Sequence, residues 1–225
     1  MTIDAQKPDV PLSDVVYAQV RDLLREGQLV PGQRLSEAEL CERFQVSRTP
    51  AREAIHRLVN EGFLAVSGNG RPCVADIDID AAEEIYDMRE AVECLAARLA
   101  ARKATTEDLI RLRAILDEQR RGVTSEADFL PINDRFHGCI YDISGNRYVQ
   151  RTASILLVSA AMIRGTTHGK YDFESFSLRE HEEIYQAIED GDSAAAEAAM
   201  RRHTRRGRFQ RIALLTRKDE PARGG

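Results

Sequence analysis

The stretch Ser36-Glu-Ala-Glu-Leu-Cys-Glu-Arg-Phe-Gln-Val-Ser-Arg-Thr-Pro-Ala-Arg-Glu-Ala-Ile-His-Arg-Leu58 predicts two short helices joined by a tight turn. Ser36, followed three residues later by Glu39, is a capping box that marks the start of the first helix. Ser47 is the predicted cap of the second helix, in which Arg48 and Arg52 lie one helical turn apart. A helix-turn-helix whose second helix begins with arginine is suited to the major groove of DNA.

The sequence on either side of this motif completes a winged helix-turn-helix. Apolar residues at helical spacing predict a preceding helix that ends near Gly27. Residues 63–66 and 72–75 are predicted as two strands, because the turn-forming residues 67–70 separate them. Gly68 lies at the predicted tip of this wing, where the absence of a side chain allows close approach to a sugar-phosphate backbone.

Two segments of this region resemble the signature of GntR-superfamily repressors, in the FadR-like branch: residues 31–37, Pro-Gly-Gln-Arg-Leu-Ser-Glu, and 47–54, Ser-Arg-Thr-Pro-Ala-Arg-Glu-Ala. The resemblance covers about residues 12–75. Some members carry an arginine where this chain has Ala38, so their operator sequences cannot be transferred to it. Taken alone, Arg48 and Arg52 would more simply form a solvated helix face, but the helix caps, the arginine spacing and the wing together favour DNA binding. With the resemblance, the predicted DNA contacts are Arg34, Ser47, Arg48, Thr49, Arg52 and Gly68.

Composition limits the class of protein. The 225 residues are 43% hydrophobic, enough for a core, and they carry a net charge of −5. This charge excludes a generally basic nucleic-acid coat, so attraction to DNA requires a local basic face, which dimerisation would double. The longest apolar run, residues 155–163, is too short to cross a bilayer, and no signal peptide is recognisable. The four cysteines lack metal-ligand spacing and are expected as reduced thiols in a cytoplasmic protein.

The predicted fold class is mainly α: an N-terminal winged helix-turn-helix and a C-terminal antiparallel helical bundle. A linker at 76–80 is predicted to separate the DNA-binding domain, 12–75, from a helical effector-binding and dimerisation domain, 81–217. Residues 1–11 are expected to be a flexible N-terminus and residues 218–225 a disordered tail. Apolar periodicity predicts six bundle helices, at about 81–103, 105–121, 125–143, 146–164, 175–190 and 192–216.

Three histidines lie on or beside the inward-facing stripes of these helices. His137 follows Asn133 by four residues, so both side chains project from one helix face. His181 and His203 belong to two later helices. Imidazoles that point into a bundle from facing helices are typical of a metal site. The alternative is three separate core histidines, each satisfied by a hydrogen bond, and the residues alone leave both interpretations open.

The same region resembles the FCD ligand-binding domain of FadR-like regulators over about residues 80–216. The resemblance is carried by Asn-Asp-Arg-Phe-His at 133–137, by Glu-His-Glu-Glu-Ile at 180–184 and by Met-Arg-Arg-His at 200–203. In many members one Asp and three His bind a divalent metal, which helps to hold a small carboxylate effector. The resemblance therefore implies the metal ligands Asn133, His137, His181 and His203. Asn133 replaces the usual Asp, and a neutral, nitrogen-rich set favours Zn²⁺ or Ni²⁺ over Mn²⁺.

Two further charged features have open interpretations. Arg89 is the candidate for an effector-facing cation, and an intrahelical pair with Glu93 is the equally favoured alternative. Eight basic residues and no acidic one lie between Arg201 and Lys218. We expect them to form the solvated face of the last helix, and a second contact to DNA is the less favoured alternative.

Together these features predict a cytoplasmic, homodimeric transcription regulator, a repressor, and not an enzyme. Its winged helix-turn-helix would read a pseudo-palindromic operator, and its C-terminal domain would bind a divalent metal and a small organic acid. Two alternatives belong to other classes: a sensor of the metal ion itself, and a His-ligated metalloenzyme fused to a DNA-binding domain. The sequence specifies neither the effector nor the operator.

Overall fold

The computed structural model describes residues 10–68, 70–122, 125–166 and 174–219. They form two compact units: the first contains the described residues up to Asp78 and Val158–Thr166, and the second contains Ile79–Leu157 and the described residues from 174 onward. No helix in these ranges is both long and apolar enough to cross a membrane. The elements are, in chain order, α1 (Leu12–Arg25), α2 (Glu37–Phe44), α3 (Arg48–Asn60), β1 (Leu64–Val66), β2 (Pro72–Val74), α4 (Ile79–Lys103), α5 (Thr106–Gly122), α6 (Glu126–Ile143), α7 (Arg147–Thr166), α8 (Glu174–Glu189) and α9 (Ser193–Asp219).

The first unit has the predicted winged helix-turn-helix order of three helices followed by a hairpin. The predicted capping box starts α2: the Ser36 amide donates to the Glu39 carboxylate at 2.6 Å, and the Glu39 amide donates to the Ser36 hydroxyl at 3.2 Å. Gln45 ends α2 in the left-handed region, with φ of 56°. The core of the unit consists of buried apolar residues from α1, α2, α3 and the wing, among them Val16, Val20, Leu24, Leu40, Ala51, Leu58 and Phe63.

The predicted cap of α3 is wrong in one respect. Ser47 does occupy the cap position, with extended backbone, but its side chain forms no capping hydrogen bond. The reason lies three residues later, because Pro50 has no amide proton to donate to the Ser47 hydroxyl. The Ser47 hydroxyl is exposed and therefore remains available for another partner.

The end of α3 leads directly into the wing. Gly62 has a φ of 78°, and the amides of Gly62 and Phe63 donate to the carbonyls of Val59 and Leu58 at 3.0 and 2.9 Å. This double closure is a Schellman motif, and it confirms the predicted glycine cap. The strands pair antiparallel, with Leu64 opposite Val74, Ala65 opposite Cys73 and Val66 opposite Pro72. Asn69 of the predicted turn lies outside the described residues.

The second unit contains the six predicted helices, and each predicted end lies within three residues of the observed one. Its core joins α4, α5, α6, α8 and α9, together with residues from the first half of α7. The two longest helices, α4 and α9, pack along each other, and both carry buried alanines, among them Ala96, Ala97, Ala100, Ala196 and Ala199. The largest fully buried side chains are Leu112, Leu116, Phe136, Ile140, Ile184 and Ile188. Of the predicted tail, α9 includes 218 and Asp219, and residues 220–225 lie outside the described chain.

The basic run on α9 is partly exposed to solvent, as predicted, and five of its arginines also form ion pairs. Arg201 and Arg205 both contact Glu90 of α4, at 2.7 and 2.8 Å, and Arg208 pairs with Glu83 at 3.1 Å. Towards α8, Arg202 pairs with Glu183 and Arg206 with Glu180. These arginines neutralise acidic side chains of the same unit, which favours a structural role for the run over a second DNA contact.

Candidate DNA-binding surface and candidate metal centre

The helix α3 divides into a buried face and an exposed face. Ala51, Ala54, Ile55 and Leu58 are buried, whereas Arg48, Thr49 and Arg52 are exposed together with Ser47. Within the described part of the chain, neither Arg48 nor Arg52 forms an ion pair. Their guanidinium groups are therefore available to a groove of DNA, where arginine donates to guanine or to phosphate.

A polar cluster holds the far end of α3 against α1. Arg57 lies 3.6 Å above the ring centroid of Tyr17 and donates to Asp14 at 2.9 Å and to Glu61 at 3.3 Å. The Tyr17 hydroxyl also donates to Glu61. Arg57 is thus occupied by partners within the protein, which separates its role from that of the two unpaired arginines at the start of the helix.

Residues 33–35 pair with strand β2 of the wing, which the sequence patterns did not predict. The Val74 amide donates to the Gln33 carbonyl at 2.8 Å, and the Leu35 amide donates to the Pro72 carbonyl at 3.1 Å. The exposed Arg34 lies between these two contacts and forms an isolated bridge with Cys73. Arg34 is therefore placed beside the hairpin, by pairing between segments far apart in sequence.

Gly68 is exposed near the tip of the wing, as predicted. A Cβ added to it would meet no atom within 4 Å, and its φ lies outside the left-handed region. Gly70, with φ of 76°, is the glycine that the turn itself requires. Neither the backbone conformation nor a neighbouring atom of the protein therefore requires glycine at position 68.

The second unit brings the three predicted histidines together. His137 on α6, His181 on α8 and His203 on α9 each offer one ring nitrogen, and these nitrogens lie within 4.8 Å of one another. The Nε2 atoms of His137 and His203 are 3.1 Å apart. His137 and His181 are both 0% exposed, and Phe136 stacks on His181 with ring centroids 4.2 Å apart. The three histidines therefore form one cluster and are not separate from one another.

Each histidine has a polar partner on its other ring nitrogen. His203 Nδ1 lies at hydrogen-bond distance from Glu180 Oε2, at 3.1 Å, whereas His137 Nδ1 lies 3.3 Å from Glu93 Oε2 without the geometry of a hydrogen bond. His181 Nδ1 lies 2.8 Å from Gln119 Oε1. The sequence reasoning missed these roles of Glu93, Gln119 and Glu180, because the partners belong to α4, α5 and α8 and no local spacing relates them to their histidines.

The chemistry of this cluster fits a divalent cation. His181 Nε2 is buried and has no hydrogen-bond partner in the described structure. A buried polar atom without a partner is unfavourable, and a cation would satisfy it while also binding the nearby Nε2 atoms. Burial, followed by the imidazoles of His203 and His137, lowers the pKa of His181 well below 6.5. The ring is therefore neutral near pH 7, as metal binding requires. Asn133, one turn before His137 on α6, is buried as well.

Arg89 forms the intrahelical pair that was the alternative to an effector-facing role. Its Nε lies 2.8 Å from Glu93 Oε1, and both side chains are buried. Burial favours protonation of Glu93, but Arg89 and His137 outweigh it and hold the pKa of that carboxyl well below its ordinary value. Since the other oxygen of Glu93 faces His137, Arg89 reaches the histidine cluster through this carboxylate.

Comparisons with known proteins agree with both halves of this architecture. Residues 12–73 match the family described as bacterial regulatory proteins, gntR family, and residues 84–206 match the FCD domain. The chain is 29% identical over 206 residues to the HTH-type transcriptional repressor RspR of Escherichia coli K12, covering 90% of each protein.

Two solved structures have the same fold. Escherichia coli McbR/YncC gives a TM-score of 0.77 at 24% identity, covering 93% of this chain and 99% of the other. A putative transcriptional regulator GntR from Rhodococcus sp. RHA1 gives 0.74 at 25% identity, covering 89% and 97%. The matched families and the curated relatives are transcriptional regulators and not enzymes. This chain therefore belongs to the GntR family of DNA-binding transcriptional regulators, with an FCD domain as its C-terminal part.

Proposed function

We propose that this regulator is a repressor whose operator binding is controlled by a small organic acid bound together with Zn²⁺ or Ni²⁺ in the FCD domain. One observation carries the metal part of this proposal: three imidazole nitrogens converge, and the one on His181 is buried without a partner. The repressor assignment is supported by the RspR relative, which is named a transcriptional repressor.

The proposed DNA contacts are those of the exposed face of α3 and of the wing: Arg34, Ser47, Arg48, Thr49, Arg52 and Gly68. A homodimer would present two such surfaces to a pseudo-palindromic operator, with half-sites about one helical turn of DNA apart. Operator DNA lies in the bacterial cytoplasm, so the proposal assigns the protein to that compartment. Acid binding would shift the population of dimer geometries and thereby the spacing of the two recognition helices.

The proposed metal ligands are His137, His181 and His203, with Asn133 as a neutral oxygen ligand. The metal would supply positive charge for a carboxylate in an otherwise buried site. Around it, Glu93 and Glu180 carry negative charge, and Arg89 and Arg206 pair with them at 2.8 Å each. Arg89 is the proposed cation for the effector, which would have to share this guanidinium with Glu93.

The experiment that tests this control measures affinity for a DNA duplex that the wild-type protein selects from a random-sequence pool. Affinity is measured with chelator, with Zn²⁺, and with Zn²⁺ plus a panel of short mono-, di- and hydroxycarboxylic acids. We expect at least one acid to change affinity about fivefold or more, as for an ordinary allosteric coupling, and only when Zn²⁺ is present.

Two other results have distinct meanings. A change with Zn²⁺ alone, unaffected by every acid, would favour the second candidate, a metal-ion sensor, which the same histidine cluster supports. Affinity that is the same under all three conditions would contradict metal control altogether. The assignment as a DNA-binding regulator would then remain, because it rests on the family and on α3.

A further inference from the structure

The side chains that face the Nδ1 atoms of the three clustered histidines are of two chemical kinds. Glu93 and Glu180 face His137 and His203 with carboxylates, whereas Gln119 faces His181 with a neutral amide oxygen at 2.8 Å. Gln119 lies on α5, which contributes none of the histidines, and its side chain is only 5% exposed. The amide oxygen of this buried glutamine therefore lies within hydrogen-bond distance of His181 Nδ1.

A carboxylate and an amide oxygen share one property, which is that they accept hydrogen bonds and cannot donate them. Gln119 and Glu180, which lie within hydrogen-bond distance of His181 and His203, therefore require the Nδ1 atoms that they face to carry the proton. A neutral imidazole carries one proton, so its Nε2 atom keeps the lone pair. Nε2 is the atom of His181 that is buried without a partner, and the atoms of His137 and His203 that lie 3.1 Å apart are Nε2 as well.

We propose that Gln119 is a positioning residue that fixes His181 in the Nδ1–H tautomer with its Nε2 lone pair towards the cation. The inference rests on the proposed metal centre. Gln119 orients the His181 ring as Glu180 orients that of His203, but it adds no charge. A carboxylate in its place would make His181 a more basic ligand and would itself attract the cation. With the neutral amide, the centre therefore binds the cation more weakly than it would with a carboxylate at position 119.

The opposite amide orientation makes a different prediction. If the Gln119 amide nitrogen faced His181, Nδ1 would carry the lone pair and Nε2 would point an N–H towards His137 and His203. Such a cluster could not bind a cation through His181 Nε2 unless the ring proton moved to Nδ1 and the Gln119 amide turned over. The protonation state of the two ring nitrogens in metal-free protein therefore distinguishes the two arrangements.

The test compares Gln119→Leu and Gln119→Glu in the full-length protein. Zn²⁺ affinity is measured by competition with a chromophoric chelator, and ¹⁵N shifts report the His181 tautomer in metal-free protein. Gln119→Leu should weaken Zn²⁺ binding by about 10- to 100-fold and abolish the tautomer preference. Gln119→Glu should tighten binding and keep the Nδ1–H tautomer. Opposite signs cannot arise from general destabilisation of the fold.

The matched control is Gln186→Glu, which makes the same change in charge on the exposed side of α8. It should bind Zn²⁺ as wild type does. Wild-type affinity in both Gln119 variants, or an Nε2–H tautomer of His181 in wild type, would overturn the role of Gln119 and leave the metal centre intact. If wild-type protein binds no Zn²⁺, the proposed centre fails, and this inference fails with it.

Discussion

Arg89→Met is expected to lower the free energy of unfolding of the metal-free protein by about 3–5 kcal/mol, because it leaves a buried carboxylate without its cation. Glu93 is 1% exposed, and Arg89 lies 2.8 Å from one of its oxygens. The other groups beside this carboxylate, His137 and Tyr141, do not replace the permanent charge of the guanidinium. Urea unfolding followed by helical circular dichroism measures the loss.

Two variants separate this effect from a general effect of losing an arginine on α4. Arg98→Met, also on α4, removes a partly exposed pair with Glu197 of α9, with an N–O distance of 3.3 Å, and should cost about 1 kcal/mol or less. In the double variant Arg89→Met with Glu93→Gln no buried charge is left unpaired, so most of the stability should return. Equal losses for Arg89→Met and Arg98→Met would contradict the account of the buried pair.

His181→Ala is expected to abolish the stabilisation of the protein by Zn²⁺. Wild-type protein should gain about 4 kcal/mol at a free Zn²⁺ concentration of roughly 1,000 times its Kd, because the ion binds only the native state. The variant lacks one of three converging nitrogens and should show almost none of this gain. The measurement is urea unfolding with Zn²⁺ and with chelator.

His56→Ala is the control for this experiment, since His56 is the exposed histidine of α3 in the first unit. It should keep the full gain with Zn²⁺. If His181→Ala lowers stability equally with Zn²⁺ and with chelator, His181 acts as a core residue, and the interpretation of the histidine cluster as a metal centre is wrong.

Local patterns were sufficient to predict most of the fold. The capping box at Ser36, the glycine cap at Gly62 and the apolar periodicity of the bundle helices each depend on residues a few positions apart. The failure at Ser47 is also local in origin, since Pro50 removes the amide that the cap would have bound. Pairing of residues 33–35 with β2 could not be predicted, because it joins segments that no local pattern relates.

The same distinction applies to the histidine cluster. His137, His181 and His203 could be found because each lies on the apolar stripe of its own helix. Gln119 and Glu180 could not, because only packing of α5 against α8 and of α8 against α9 brings them to their histidines. The pairing of α9 arginines with α4 did have a signal: Glu83, Asp87 and Glu90 recur at helical spacing, as Arg201, Arg205 and Arg208 do.

The central claim is that α3 reads DNA, and the most direct test is the affinity of Arg48→Ala and Arg52→Ala for the duplex selected by the wild-type protein. Each variant should lose about 1–3 kcal/mol on this duplex and much less on a scrambled duplex, because arginine distinguishes bases by paired hydrogen bonds. Arg121→Ala, which removes an exposed charge from the second unit, should bind as wild type does. Wild-type affinity for the selected duplex in both α3 variants, with both proteins folded, would contradict the account.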